Sequence, residues 1–280
     1  MHIAVCIKPV PDPKTANNIS IDPVTKRICR EQGSSVINSL DRNALEVALT
    51  LKEKEGGDVA VFAMAPPSAI NVLREALALG ADEAYLLSDR KFGGSDTLAT
   101  TNIIAAGLDC AKKRSGQDWD LILFGAYSSD GGTAQVPTQV GEWLGIPNFH
   151  FVSKLSFEGG KYQFSCDYGD RLLQWSSVSP LVLSVTRNIN KPRYTTIRGI
   201  MKAKNKMITI FTASDIEADQ NILGLNGSPT QNGEIYPIKT TRNATRLTGT
   251  NEEVATQLLN ILIDNGVKLS LKKQGDASCA

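Results

Sequence analysis

Few side chains in this chain are suited to acid–base or nucleophilic chemistry. Its 280 residues contain two histidines, His2 and His150. His150 sits in "PNFHFV", where it reads either as a general base or as a strand residue at a sheet rim. No spacing suggests a partner for it, so a Ser-His-Asp or His-metal centre would rest on one imidazole. That argues against a hydrolase. The five cysteines (Cys6, Cys29, Cys110, Cys166, Cys279) are odd in number, scattered and without a Cys-x-x-Cys pair. This pattern predicts a reduced, cytoplasmic chain with no disulfide frame and no thiolate metal site.

What remains is chemistry done by the backbone. From Asp120 to Pro147 the chain reads "DLILFGAYSSDGGTAQVPTQVGEWLGIP". An apolar strand-like run meets a polar glycine turn, "SSDGGTAQ" (128–135), and a helix-like stretch follows. Such a turn offers N–H groups at a helix N-terminus, and glycines let an anion approach the backbone. Thr133 is placed to cap the helix or bond a phosphate oxygen, and Asp130 to accept from a ribose hydroxyl. The same residues also fit an ordinary capped turn. The turn is neither Gly-x-Gly-x-x-Gly nor a Walker loop.

Strand and helix patterns alternate ahead of this turn. Strands are expected at 2–8, 58–64, 83–88 and 120–125, and a loop with a hairpin over 9–36. Leu40, Ala44, Ala48 and Leu51 recur at helical spacing before Gly56-Gly57. Further helices are expected after Pro66-Pro67, over 96–113, and from Val136 through Trp143. The alternation predicts an α/β fold, a parallel sheet with helices on both faces. Ligands in such sheets lie at the carboxyl ends of the strands. The loops 8–13, 64–68, 88–96 and 125–133 are therefore the ones to watch. Short strands with glycine turns predict an antiparallel meander over 148–187. A loop and short basic helix occupy 188–206. Residues 219–250 look like an extended arm, and 251–265 like an amphipathic helix.

Composition closes off other classes. Hydrophobic residues make up 41%, which allows a substantial core, and the net charge is +1. No basic field suits nucleic acid, and no apolar run nears the ~20 residues of a membrane helix. The N-terminus "MHIAVCIKPV" reads as a buried strand rather than a signal peptide.

Three other loops have both a binding and a plain structural reading. "KPVPDP" (8–13) is a stiff wall for a nucleotide or a rigid turn. "INSLD" (37–41) fits a near capping box of Asn38 and Asp41. "AMAPPS" (63–68) fits a strand-to-helix turn with proline in the first helical positions. Tyr194 and Ile197, apolar residues in a loop, are either tucked into the core or anchors for another protein.

Taken together and in order, these stretches resemble the β subunits of electron-transfer flavoproteins. The matching stretches are "VCIKPVPD", "INSLD…ALEVALTLKE", "LREALALGADEAYLLSD", "SDGGTAQVPTQVGEWLGIP" and "SPLVLSVTRNINKPRYTTIRGIMKAKNK". The arm "GLNGSPTQ" (224–231) looks like that of the bifurcating-type subgroup of anaerobic bacteria. The resemblance implies a Rossmann-like, adenine-nucleotide α-hydrolase-like fold. It implies a nucleotide-binding domain over 1–218, with the meander and a partner-recognition loop (188–206) inside it. A C-terminal arm and helix (219–280) would wrap a larger α subunit.

The resemblance also implies FAD, or AMP as the alternative, in the β subunit, and a flavin-dependent dehydrogenase partner, with NADH as a possible hydride donor. Cofactor contacts would fall on Pro9, Val10, Asn38, Asp41, Met64, Ala65, Pro66, Asp130, Gly131, Gly132, Thr133, Ala134, Gln135 and Val136. Partner contacts would fall on Asn190, Pro192, Arg193, Tyr194, Ile197 and Met201. No catalytic side chain and no metal site are implied, because the cofactor does the redox chemistry.

The chain departs from the family pattern in its key loop. Ala126 stands where the bifurcating pattern has arginine, Gly132 where it has an acid, and Pro137 where it has glycine. Ala65 and Ser39-Leu40 also depart from family positions. Readings other than a redox carrier are a non-redox nucleotide-binding regulatory module and an ATP-using enzyme of similar fold. Against the latter, the first strand leads into "KPVPDP" rather than a Ser-Gly-Gly-x-Asp-Ser loop.

Overall fold

The computed structural model describes residues 1–14, 20–21, 28–29, 35–230, 233 and 244–267. Strands β1 (His2–Cys6), β2 (Pro9–Pro11), β3 (Ser20–Ile21), β4 (Ile28–Cys29) and β5 (Ser35–Ile37) lead into helix α1 (Ser39–Glu55). Then come β6 (Asp58–Met64), α2 (Ile70–Leu79), β7 (Glu83–Leu87), α3 (Thr97–Ser115), β8 (Leu121–Gly125) and α4 (Val136–Leu144). Strands β9 (Asn148–Glu158), β10 (Lys161–Asp167), β11 (Leu172–Ser177) and β12 (Leu181–Val185) follow, then α5 (Ile197–Lys204), β13 (Thr209–Phe211) and α6 (Asn251–Asp264).

Nine strands form one sheet in the order β11-β10-β9-β12-β8-β1-β6-β7-β13. Strand β1 is central and pairs in parallel with both β6 and β8, Val5 lying level with Val61 and Leu123. Its five residues are all buried, as expected for a parallel strand covered on both faces. Alternation sorts them. Ile3 and Val5 pack with α1 and α2, whereas Ala4 and Cys6 pack with α3 and α4. Helices thus cover both faces, as the alternating pattern predicts.

The predicted helices lie where expected, within two residues at their ends: the helix expected over 96–113 runs from Thr97 to Ser115. In α1, Leu40, Ala44, Ala48 and Leu51 are buried, and Gly56 closes it with an N–H to the Lys52 carbonyl. In α3, Asp96 caps the first turn by accepting from the amides of Leu98 and Ala99.

The meander is not a separate layer. Strands β9, β10 and β11 are antiparallel and extend the central sheet as a wing. Strand β12, expected within the meander, instead pairs in parallel with both β8 and β9. Its sequence, "LVLSV", is fully buried, and a strand buried on both faces belongs inside the sheet. Turn spacing alone does not reveal this.

The chain divides into two units, 1–235 and 236–280. In the second, α6 starts with a capping box of Thr250 and Glu253. Its Leu258, Leu259, Ile261 and Ile263 are exposed. Of the expected extended arm (219–250), residues 219–230 instead belong to the first unit, where Leu223 and Ser228 are buried, while 231–232 and 234–243 fall outside the described residues.

Candidate functional site

Strand order reverses its direction of travel at β1. From β1 the chain continues to β6 and β7 on one side, and from β8 to β9 and β12 on the other. The carboxyl ends of β1 and β8 therefore border a crevice, the place where open α/β sheets bind ligands.

Three segments meet there. Asp41, in the first turn of α1, accepts the Lys8 amide with one carboxylate oxygen at 2.7 Å and the Gly125 amide with the other at 3.0 Å. Asn38, its neighbour at the head of α1, donates to the Tyr127 carbonyl at 2.9 Å and accepts the Ser129 amide at 3.2 Å. The capping-box reading of "INSLD" is therefore replaced: α1 has no side-chain cap at Asn38. Both side chains reach across to the loops after β1 and β8 instead. Pro9 and Val10 pair with Ile37 and Val36 across β2 and β5, which fixes the first of these loops.

Gly125 is required at this junction. A Cβ built there would lie 2.3 Å from Asp41 Oδ1 and 2.7 Å from the Leu40 carbonyl carbon. Burial pushes the Asp41 carboxyl up to about 7, against the opposing pull of its hydrogen-bond donors and of Lys8.

Above this knot lies the turn 127–135. Lys8 Nζ donates to Asp130 at 2.7 Å and to Ser128 Oγ at 3.3 Å. Asp130 also accepts the Gly131 amide at 2.8 Å. Burial raises the Asp130 carboxyl, but its contacts with Lys8, Ser128 and Gly131 win and hold it below the usual range. Gly132 and Ala134 both have left-handed backbones, φ 65° and 57°. For alanine this is strain, and such strain concentrates at functional turns.

Thr133 does not cap α4, which has no side-chain cap at its first residues. The amides of Thr133, Ala134, Gln135 and Val136 have no partner among the described residues. Such free amides at the start of α4 suit an anion. Gln135 turns its side chain to Thr97 on α3 at 3.2 Å. Met64, Ala65 and Pro66 end the adjacent strand β6, where the Ala65 amide donates to the Leu87 carbonyl.

His150 lies away from this cluster. Its ring nitrogens meet Thr138, Asn148 and Ser184, and burial lowers its pKa. That is the sheet-rim reading. Among the described residues no group of His, Cys, Asp and Glu could hold a metal ion.

A second feature lies on the loop before α5. Tyr194 is 89% exposed, Ile197 80% and Met201 68%. Pro192 is half-buried. Asn190 and Arg193 turn their side chains onto α1. Asn190 exchanges hydrogen bonds with Asn43 at 2.8–3.1 Å, and Arg193 forks across Glu46 and Glu53.

A family model described as the electron transfer flavoprotein domain matches residues 26–216. The electron transfer flavoprotein subunit beta of Thermoanaerobacterium thermosaccharolyticum is 41% identical over 265 residues, covering 94% of this chain and 98% of that protein. The caffeyl-CoA reductase-Etf complex subunit CarD of Acetobacterium woodii is 41% identical over 264 residues, 94% and 98% of the two chains. The acryloyl-CoA reductase electron transfer subunit gamma of Anaerotignum propionicum is 33% identical over 272 residues, 95% and 100%. The chain belongs to the electron transfer flavoprotein family, among its β subunits.

Membership places this β subunit in electron transfer alongside an α-subunit partner. No helix among the described residues is long and apolar enough to cross a membrane.

The structure brings the expected Asn38, Asp41 and Asp130 to this junction together with Lys8, a residue not singled out in the sequence. Ala126, where the sequence reading notes the loss of a cation, is buried here. A positive group at this turn is Lys8, which follows β1 and pairs with Asp130, 122 residues further on. The strand-end position of "KPVPDP" was the available signal. Asn43, Glu46 and Glu53 were also missed; only the α1 face they share, at successive spacings of three and seven residues, hints at a common role.

Proposed function

We propose that this β subunit holds FAD in the crevice between β1 and β8, with AMP as the alternative occupant. With its α partner it passes electrons between NADH or an acyl-CoA-type dehydrogenase and a redox partner, in the cytoplasm. The observation that carries this is the run of partnerless amides at 133–136 at the start of α4, next to a turn whose Asp130 is paired with the Lys8 ammonium. Those donors fit a phosphate. The knot of Asn38 and Asp41 fixes the loops after β1 and β8. Pro9, Val10 and Met64–Pro66 line the neighbouring strand ends and would wall the rest of the nucleotide. Asp41 is 5% exposed and acts from beneath rather than by contact. Flavin, when bound, supplies the one- and two-electron chemistry.

Two relatives are named as parts of CoA reductase systems, which favours an acyl-CoA-type enzyme as the electron-transfer partner. Tyr194, Ile197 and Met201 form the exposed apolar rim that would dock it. Residues 219–280 would lie along the α subunit, with the apolar stripe of α6 covered there.

Coexpression with the α subunit tests the reading. Two FAD per heterodimer supports flavin in this site, and NADH-driven bifurcation then becomes testable. One FAD plus AMP assigns the AMP alternative. A heterodimer with no nucleotide in this subunit overturns both.

A further inference from the structure

An exposed apolar rim is useful for docking only if it is held in shape, since each side chain ordered on binding costs affinity. The segment 190–207 is tied down from two sides. On one, Arg193 Nε and Nη2 donate to the two carboxylate oxygens of Glu46 at 2.9 and 3.0 Å. Its Nη1 and Nη2 donate to those of Glu53 at 2.5 and 3.0 Å. The Arg193 amide also donates to Glu46, at 3.0 Å. Glu46 and Glu53 lie seven residues apart on one face of α1. The Arg193 hydrogen bonds, together with its charge and that of Lys52, outweigh burial and hold the Glu53 carboxyl below its usual range. Three residues earlier on each segment, Asn43 donates to the Asn190 side-chain oxygen and Asn190 donates to the Asn43 backbone carbonyl.

On the other side, α5 packs directly on α2. A Cβ at Gly199 would lie 2.3 Å from the Ala78 carbonyl oxygen. Arg74 donates to the carbonyls of Ala203, at 2.6 Å, and Lys206. Between these ties Tyr194, Ile197 and Met201 point outward.

We infer that Asn190 and Arg193 are positioning residues: they clamp the rim to α1 and do not themselves touch the partner. Arg193 has both edges of its guanidinium committed within its own chain, which leaves it little to offer another protein. The inference rests on the docking role of the rim stated above. Because α1 also carries Asn38 and Asp41, the same helix frames the nucleotide crevice and the docking rim.

The test uses the heterodimer with its α subunit, with butyryl-CoA dehydrogenase as the probe partner. Arg193→Met is compared with the double variant Glu46→Ala/Glu53→Ala, which keeps Arg193 but removes what holds it. Ile197→Ala is the control for docking. Hydrogen exchange of the amides in 188–206 is read in the heterodimer alone. The clamp predicts faster exchange in both clamp variants. It also predicts a KM for the heterodimer raised roughly tenfold in both, the scale of ordering one or two side chains on binding, with kcat within about twofold.

A rise in KM for Arg193→Met that the double glutamate variant does not share would mean that Arg193 contacts the partner, and would overturn the inference. Unchanged exchange in both clamp variants would overturn it equally. Should Ile197→Ala leave KM unaltered, the docking reading fails, and exchange alone then judges the clamp.

Discussion

Lys8 and Gly125, 117 positions apart in sequence, donate their amides to opposite oxygens of one buried carboxylate, that of Asp41. One side chain therefore joins the exits of two adjacent parallel strands. Removing it as Asp41→Ala leaves one buried and one part-buried N–H group without an acceptor, at about 1–3 kcal/mol each. We expect a loss of roughly 2–5 kcal/mol in stability, read as a lower midpoint in chemical denaturation of the heterodimer. A midpoint within error of wild type would sink this account of the junction.

The same carboxylate gives a pH dependence of defined sign. Its folded pKa is raised by burial to about 7, from 3.8 for an ordinary aspartate. The folded state therefore binds more protons than the unfolded state between about 4 and 7. Stability from this group is full below about 4 and declines as pH rises through 7. Asp41→Asn, which cannot titrate, should flatten the fall in melting temperature between pH 5.5 and 8. Parallel curves for the two proteins would place the titration elsewhere.

Gly125→Ala tests the closeness of approach. The added Cβ meets Asp41 Oδ1 and the α1 backbone, neither of which can retreat without breaking the hydrogen bonds they make. About 2–4 kcal/mol of destabilisation is expected, together with loss of bound nucleotide. Retention of nucleotide at wild-type stoichiometry would show that the loops have room that the geometry denies them.

Lys8→Met and Asp130→Ala separate two roles at the turn. Lys8 offers a charge-assisted contact, so its loss should weaken AMP binding by about 1–3 kcal/mol and lessen its salt dependence. Asp130 braces Lys8 and the Gly131 amide, so its loss should weaken binding as well. Calorimetric titration of nucleotide-stripped heterodimer with AMP reads both. Tighter binding by Asp130→Ala would mean that Asp130 competes with the ligand for Lys8.

Much of this was legible in the sequence because local periodicity and burial agree. β6 was readable from "DVAVFAM" and α1 from its four recurring apolar residues. Strand β12 was misassigned because neighbouring glycine turns suggest hairpins, whereas its partners β8 and β9 are set by the sheet's topology. In the site, Asn38 and Asp41 looked like a local cap, since short polar side chains at a helix start usually serve one. Their true partners are as many as 91 residues away, across a strand order that spacing does not encode. Arg193 likewise looked like a surface contact until Glu46 and Glu53 appeared beneath it.

The exposed rim gives the last prediction. Ile197 is 80% exposed at the first residue of α5, where Thr196 caps the helix by accepting the Gly199 amide at 3.0 Å. The helix is thus held by its cap and by Gly199 against α2, not by Ile197. Ile197→Ala should therefore leave the melting temperature and nucleotide content unchanged. It removes apolar area that only a partner would bury, so docking should lose about 1–2 kcal/mol, roughly a tenfold rise in KM. Stopped-flow reduction of the heterodimer by an acyl-CoA dehydrogenase reads the effect. Transfer kinetics matching wild type would move the docking face away from α5, leaving the apolar edge strand β11, with its exposed Leu172, Leu173 and Trp175, as the next surface to substitute.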